Sequence, residues 1–278
     1  MTTTPIKLPT LDGQAWSAAR DAIHAYSKVL GAIRAAITPR ERHWSNVSLR
    51  THARGLTTTV MHTPWGAVEI RLDLLDGHAT LMSSDGRAKR MLLADLPPSR
   101  LATYFIARLA GWGITADIDP ESFGDATLPK SCLPQMRSLF NVLLWVDGLL
   151  SRFRAEQSNE TSVVQLWPHH FDIAMLWFSG RKVLGQDTYD EETADEQMNF
   201  GFAFGDSAHP DPYFYITAYP LPDGMADISL PHFATWQQGS WNGIFAAYDA
   251  VRGVNNPASA IIDLMRSALA TGEGLMED

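Results

Sequence analysis

Gly66-Ala67-Val68-Glu69-Ile70-Arg71-Leu72-Asp73-Leu74, followed by Gly77 and then Asp85-Gly86, is the stretch on which the fold turns. Val68, Ile70, Leu72 and Leu74 alternate with polar or charged partners, the two-residue period of a strand with one buried face. Gly77 makes a tight turn into His78–Ser83, and Asp85-Gly86 is a strong hairpin signal leading into Arg90–Ala94. Strands joined by such short turns pair antiparallel.

Working outward, a long extended segment from Asn46 through Met61 precedes the meander. Before it, Trp16, Ala19, Ile23, Tyr26, Leu30, Ile33 and Ile37 recur every three or four residues, one buried stripe of a long helix that Pro39 ends. After the meander, Pro97-Pro98-Ser99 opens a second helix with Leu101, Phe105, Leu109 and Trp112 on one side. The second half repeats this order. Pro134 opens a helix striped by Met136, Leu139, Leu143, Val146, Leu150 and Phe153. Extended pieces follow at Val163–Phe178, Met198–Phe204, Tyr213–Tyr219 and Gly243–Ala247. Asn256-Pro257 then caps a closing helix for which Gly272 is the expected stop. Strand-like pieces, Ile6–Leu8 and Ile114–Ile118, precede the two units.

The expected fold is therefore α+β: two pseudo-symmetric halves, residues 1–113 and 114–278, each strand, helix, four strands, helix, packed as one globular unit. Leu49-x-x-His52-x-x-x-Leu56 and Leu166-x-x-His169-x-x-x-Ile173 are the best local match between them. This order resembles the repeat of the TATA-box-binding saddle, which implies antiparallel sheets about a pseudo-twofold axis with helices on one face. Fold does not carry function.

Of the 278 residues, 45% are hydrophobic and 19% charged, enough for a sizeable core. Residues 1–125 hold 14 basic against 12 acidic side chains and residues 126–278 hold 8 against 19, for a net charge of −9. That balance disfavours nucleic acid as a partner, since such binding rests on neutralising phosphates. The run Asp187, Asp190, Glu191, Glu192, Asp195, Glu196 reads as a solvated loop. Cys132 is the only cysteine, so neither an intramolecular disulfide nor a cysteine-based zinc site can form, and it reads as a structural thiol at a helix start. With neither a secretion signal nor a run of ~20 apolar residues, the expectation is a cytoplasmic protein without a membrane partner. Gly-x-Gly-x-x-Gly, Walker, His-Glu-x-x-His and Gly-x-Ser-x-Gly motifs are missing, which disfavours Rossmann dehydrogenases, P-loop NTPases, zincins and α/β-hydrolases.

Chemistry concentrates at Trp167-Pro168-His169-His170-Phe171-Asp172. Proline cannot donate a ladder hydrogen bond, so Pro168 marks an edge or a bulge within an extended run, and bulges re-aim side chains. Three readings fit. His170 and Asp172, with either His52 or His169, could bind iron, manganese or zinc as a two-histidine, one-carboxylate set. His170, Asp172 and His169 could perform acid–base catalysis. The same groups could instead only satisfy the backbone at the bulge. Around them, Phe200, Phe202 and Phe204 share one strand face, Gly201, Ala203 and Gly205 the other, and Tyr213, Tyr215, Thr217 and Tyr219 line a face of the next strand. Trp167 and Tyr215 are candidate substrate contacts. Arg54, Arg181 and Arg252, each beside a glycine, are candidates for holding an anionic group. His43-Trp44 reads as an exposed cluster and His24, between Arg20 and Lys28, as a solvated position.

His43-Trp44, Ala53-Arg54-Gly55-Leu56-Thr57-Thr58, His170-Phe171-Asp172-Ile173-Ala174 running to Phe178-Ser179-Gly180-Arg181, Phe214-Tyr215 with Ala218-Tyr219-Pro220, and Tyr248-Asp249-Ala250-Val251-Arg252 together resemble a bacterial domain-of-unknown-function family across nearly the whole chain. That resemblance implies no activity, cofactor or catalytic residue. The expectation from the residues is a small-molecule enzyme acting on an anionic or aromatic metabolite by metal-assisted or His/Asp acid–base chemistry, the alternative being a noncatalytic ligand-binding or interaction module.

Overall fold

Helix α1 (Gly13–Ile37) buries Trp16, Ala19, Ile23, Tyr26, Leu30 and Ile33 along one stripe and ends at Thr38, whose extended backbone is what a residue before proline favours. The computed structural model describes residues 8–190 and 193–277. Ile6 and Lys7 of the first strand-like piece, and Glu191 and Glu192 of the acidic run, lie outside them. After a 3-10 segment, Arg42–Val47, come β1 (Arg50–His52), β2 (Gly55–Thr57), β3 (Met61–Thr63), β4 (Gly66–Asp73), β5 (His78–Ser83), β6 (Ala88–Leu92) and α2 (Pro98–Ala110). The second half holds α3 (Leu133–Ala155), β7 (Gln165–Trp167), β8 (Asp172–Lys182), β9 (Asp195–Ala203), β10 (Tyr213–Tyr219), β11 (Thr235–Gln237), β12 (Gly243–Ala247), α4 (Tyr248–Arg252) and α5 (Pro257–Glu277).

The fold is α+β with two antiparallel sheets. One runs β1-β2-β4-β5-β6 with β3 also on β4; the other runs β11-β12-β10-β9-β8-β7. On β4, Val68, Ile70 and Leu72 are buried while Glu69 and Arg71 face outward in an ion pair with each other. Edge meets edge at Leu49 and Leu166, each donating its N–H to the other's carbonyl at 2.8 and 2.9 Å. Helix α1 packs on α2 and α3, α3 on α5, and α3 and α5 lie against β8, β9 and β10. Met198, Phe200 and Phe202 of β9 and Phe214 and Ile216 of β10 supply the strand side of that core. Among the described residues no helix is long and apolar enough to cross a membrane.

The elements differ from expectation where distant contacts decide. Among the described residues each half has six strands, where four in a row were expected between its helices. The Asn46–Met61 stretch folds back at Ala53-Arg54 because Arg54 reaches Asp73 at 2.5 Å and also Asp76, while its carbonyl accepts the Leu74 N–H. Ile114–Ile118 is not a strand: the Ile114 N–H returns to Leu109 O at 2.9 Å and closes the end of α2. Gly272 does not stop α5 but is buried within it, where a Cβ would fall 2.5 Å from Met198 Sδ. Asp195 and Glu196 of the acidic run belong to β9 and pair with Lys182 and Arg181. Cys132 is buried at the start of α3.

Candidate functional site

Pro168 does not kink a continuous strand. Trp167 pairs with Asp172, and residues 168–171 form the turn of the β7–β8 hairpin, with Phe171 in the left-handed region at φ 55° and its N–H returned to Trp167 O. The turn therefore sends His169 and His170 to the same side as Asp172, where a regular strand would have separated the histidines. All three border a cleft of about 850 Å³, the size of a small-molecule site.

The floor of the cleft follows from strand alternation. With the even residues of β9 and β10 in the helix-packed core, the odd ones face the other way: Asn199, Gly201 and Ala203 opposite Thr217, Tyr215 and Tyr213. Tyr215 lies across Gly201, where a Cβ would come 2.6 Å from its Cε1. From there its hydroxyl donates to Oδ2 of Asp172, and the Asn199 side chain hydrogen-bonds the same phenol. Asp172 is only 6% exposed, and its Oδ1 has no partner. Burial pushes the Asp172 carboxyl up to about 6, opposed by the Tyr215 hydroxyl and the nearby His170. Burial and the Asp172 charge push Tyr215 far above its ordinary value, so it stays a donor.

A second carboxylate is tuned the other way. Burial raises Asp206, but the Tyr213 hydroxyl at 2.5 Å and the N–H groups of His209 and Ala208 hold it below the usual range. The cleft thus holds one carboxyl near neutrality and one fixed as an anion, the pattern by which environments separate acid–base roles. Trp241 stacks on Tyr213 at a centroid distance of 6.2 Å. The opposite wall is the 3-10 segment, where His43 and Trp44 both adopt left-handed backbone, φ 52° and 54°, costly for bulky side chains. Arg34 holds that conformation by donating to Ser45 O at 2.5 Å and Ser48 O at 2.6 Å, and Asp195 sits 3.3 Å from His43 Nε2.

Helix α1 sets the height of the hairpin turn. His24 is not a solvated position: its Nε2 lies 2.9 Å from Pro168 O and 3.1 Å from His169 O, and the ring stacks on Phe171. Two carbonyl partners require Nε2 to carry the proton. Two turns further along α1, Gly31 meets Pro168, and a Cβ there would fall 2.7 Å from Pro168 Cγ and 2.9 Å from Val47 O. In an ordinary helix Gly→Ala stabilises by about 1 kcal/mol. Gly31→Ala is expected to do the reverse and lower stability by about 1–3 kcal/mol, because Val47 O is backbone and cannot swing aside. Denaturant unfolding of the two proteins checks the sign.

Of the residues singled out by sequence, Trp167, His169, His170, Asp172 and Tyr215 border the cleft together. His52 does not; it sits in β1, where its Nδ1 accepts from the Arg54 N–H at 3.3 Å. The metal set that includes His52 is therefore not assembled, and although His169, His170 and Asp172 share the cleft, among the described residues no three His, Cys, Asp or Glu side chains come together to hold a metal ion. The arginines lie away from the cleft: Arg54 pairs with Asp73 and Asp76, Arg181 with Glu196, Arg252 with Asp249, and none is among its lining residues. Asn199, Asp206 and Trp241 were not expected. Only Asn199 leaves a trace in the sequence, as the polar member of an otherwise small-residue strand face.

No curated protein and no solved structure matches the chain. One family model matches residues 8–277, from the start of the described fold to the last turn of α5, so the chain belongs to DUF5996, a family of unknown function.

Proposed function

We propose that the protein is a small-molecule enzyme working by acid–base chemistry, with Asp172 as the group that takes and returns a proton. One observation carries this reading. Asp172 is buried beside a ligand-sized cleft with one oxygen held by Tyr215 and the other unpartnered, an arrangement that costs stability and gives a carboxyl titrating near neutrality. Tyr215 fixes the carboxyl plane and leaves Oδ1 as the reacting atom. His170 acts on the charge of Asp172, and Trp167, Tyr213 and Trp241 supply walls for the substrate.

The enzyme reading is tested by incubating purified protein with a small-molecule extract of cells and following compound masses. At least one compound is expected to be consumed over many turnovers by the wild type and spared by Asp172→Asn. Ligands that bind, with nothing consumed, would leave the cleft a noncatalytic binding site. We also read the two halves as an internal duplication with a saddle-like layout. The six-stranded antiparallel sheet in each half supports this, as does the reciprocal pairing of Leu49 with Leu166, the two positions that align between the halves.

A further inference from the structure

We propose that the cleft takes a protonated organic amine, its N–H groups held by Asp172 and Asn199 and its carbon skeleton set against the aromatic walls. The proposal rests on the reading of the cleft as a substrate site and names the class of substrate.

The unpartnered polar atoms decide the sign of the ligand. Asp172 Oδ1 and Asn199 Oδ1 are screened from water, border the cleft through their side chains and have no hydrogen-bond partner. The Asn199 amide is oriented by its neighbours. Tyr215 gives its single proton to Asp172, so its oxygen can only accept, and Asn199 turns its NH2 toward it. Both orphan atoms are therefore acceptors, and a ligand that completes the site must bring donors. An ammonium group brings up to three and forms the stronger, charge-assisted bond to a carboxylate. Charge points the same way. Asp172 and Asp206 border the cleft while no lysine or arginine does among the described residues, so an anion would be repelled. Trp167, Trp241 and Tyr215 line the cleft, and aromatic rings attract cations through their quadrupole.

A neutral polyol would also stack and donate, so the experiment must separate charge from hydrogen-bonding capacity. Calorimetry at pH 7.5 uses four probes on one skeleton: 2-phenylethylamine, its N,N,N-trimethyl derivative, 2-phenylethanol and 3-phenylpropanoate. The primary amine is expected to bind about ten-fold or more tighter than the alcohol, as a charge-assisted bond replaces a neutral one. The trimethyl compound, charged but without N–H donors, falls between them, and the carboxylate does not bind. Asp172→Asn removes most of the amine's advantage and leaves the alcohol unchanged. The proposal is overturned if the alcohol or carboxylate binds as well as the amine, if Asp172→Asn binds the amine like wild type, or if no probe binds at millimolar concentration. Because the readout is binding, loss of the amine preference alongside Asp172-dependent turnover removes only the ligand class. Amine binding without such turnover removes the enzyme reading instead.

Discussion

At pH 7 the Asp172→Asn variant is expected to be more stable than the wild type while losing turnover. In the unfolded chain the carboxyl releases its proton around its ordinary value of 3.8; in the folded protein it keeps it up to about 6. Below 3.8 both states are protonated and the site adds no cost. Between the two values folding takes up a proton, so stability falls as pH rises, and above 6 the whole loss is present. The interval corresponds to about 3 kcal/mol at pH 7. Asparagine has the shape of aspartate, can still accept from Tyr215 through its carbonyl oxygen, and carries no charge to desolvate. Its melting temperature should exceed that of the wild type by on the order of 5 °C at pH 7 for a chain of this size. The gap should close as the pH falls toward 4. Parallel thermal melts of both proteins between pH 4 and 8 measure it. A variant that melts at or below wild type at pH 7, with no convergence in acid, would mean that the Asp172 charge is already compensated in the fold.

Such a trade of stability for a reactive group is what a functional site imposes on a scaffold, and it bears on how much of the site could be read in the sequence. The side chains with chemistry were legible because they break local rules: a proline and two histidines ahead of an aspartate in an apolar run, and tyrosines on alternate residues of one strand. The scaffold was legible wherever periodicity and turn chemistry are local, as in α1, α3 and the β4–β5–β6 meander with its turns at Gly77 and Asp85-Gly86. What joins these pieces was not. The β1–β2 turn at Ala53-Arg54 has no turn signature and is closed by Asp73 and Asp76, about twenty positions further along the chain. Arg54 and Arg181 looked available because a sequence does not display ion pairs made across strands or loops, whereas the Arg252–Asp249 pair is local, three residues apart within α4. His24 looked solvated between Arg20 and Lys28, yet its partners are carbonyls more than 140 residues away. Asp206 is a turn residue by any local criterion, and only the Tyr213 hydroxyl brings it to the cleft.

Gly201→Ala is expected to disable the site through a single added methyl group. Gly201 is opposite Tyr215 in the β9–β10 register, and the phenol ring occupies the space above its Cα. Glycine weakens a strand interior, and one that accepts a cross-strand aromatic ring recovers part of that loss through the ring's cover. A methyl 2.6 Å from Cε1 cannot coexist with the ring, and backbone pairing on both sides of β9 prevents that strand from retreating. The ring must therefore leave, and with it goes the hydroxyl that holds Asp172 Oδ2. The buried carboxyl then has both oxygens unpartnered, a loss of about 1–3 kcal/mol, with overpacking costing a similar amount. Turnover should fall with the stability, since the plane of the reacting carboxyl is no longer set. The cause is separable by a double-mutant cycle. In a Tyr215→Ala background the ring and its hydrogen bond are already gone, so adding Gly201→Ala should change stability by less than about 0.5 kcal/mol. Equal costs in the two backgrounds would place the damage in the β9 backbone instead, and Tyr215 would then owe its position to something other than the glycine beneath it.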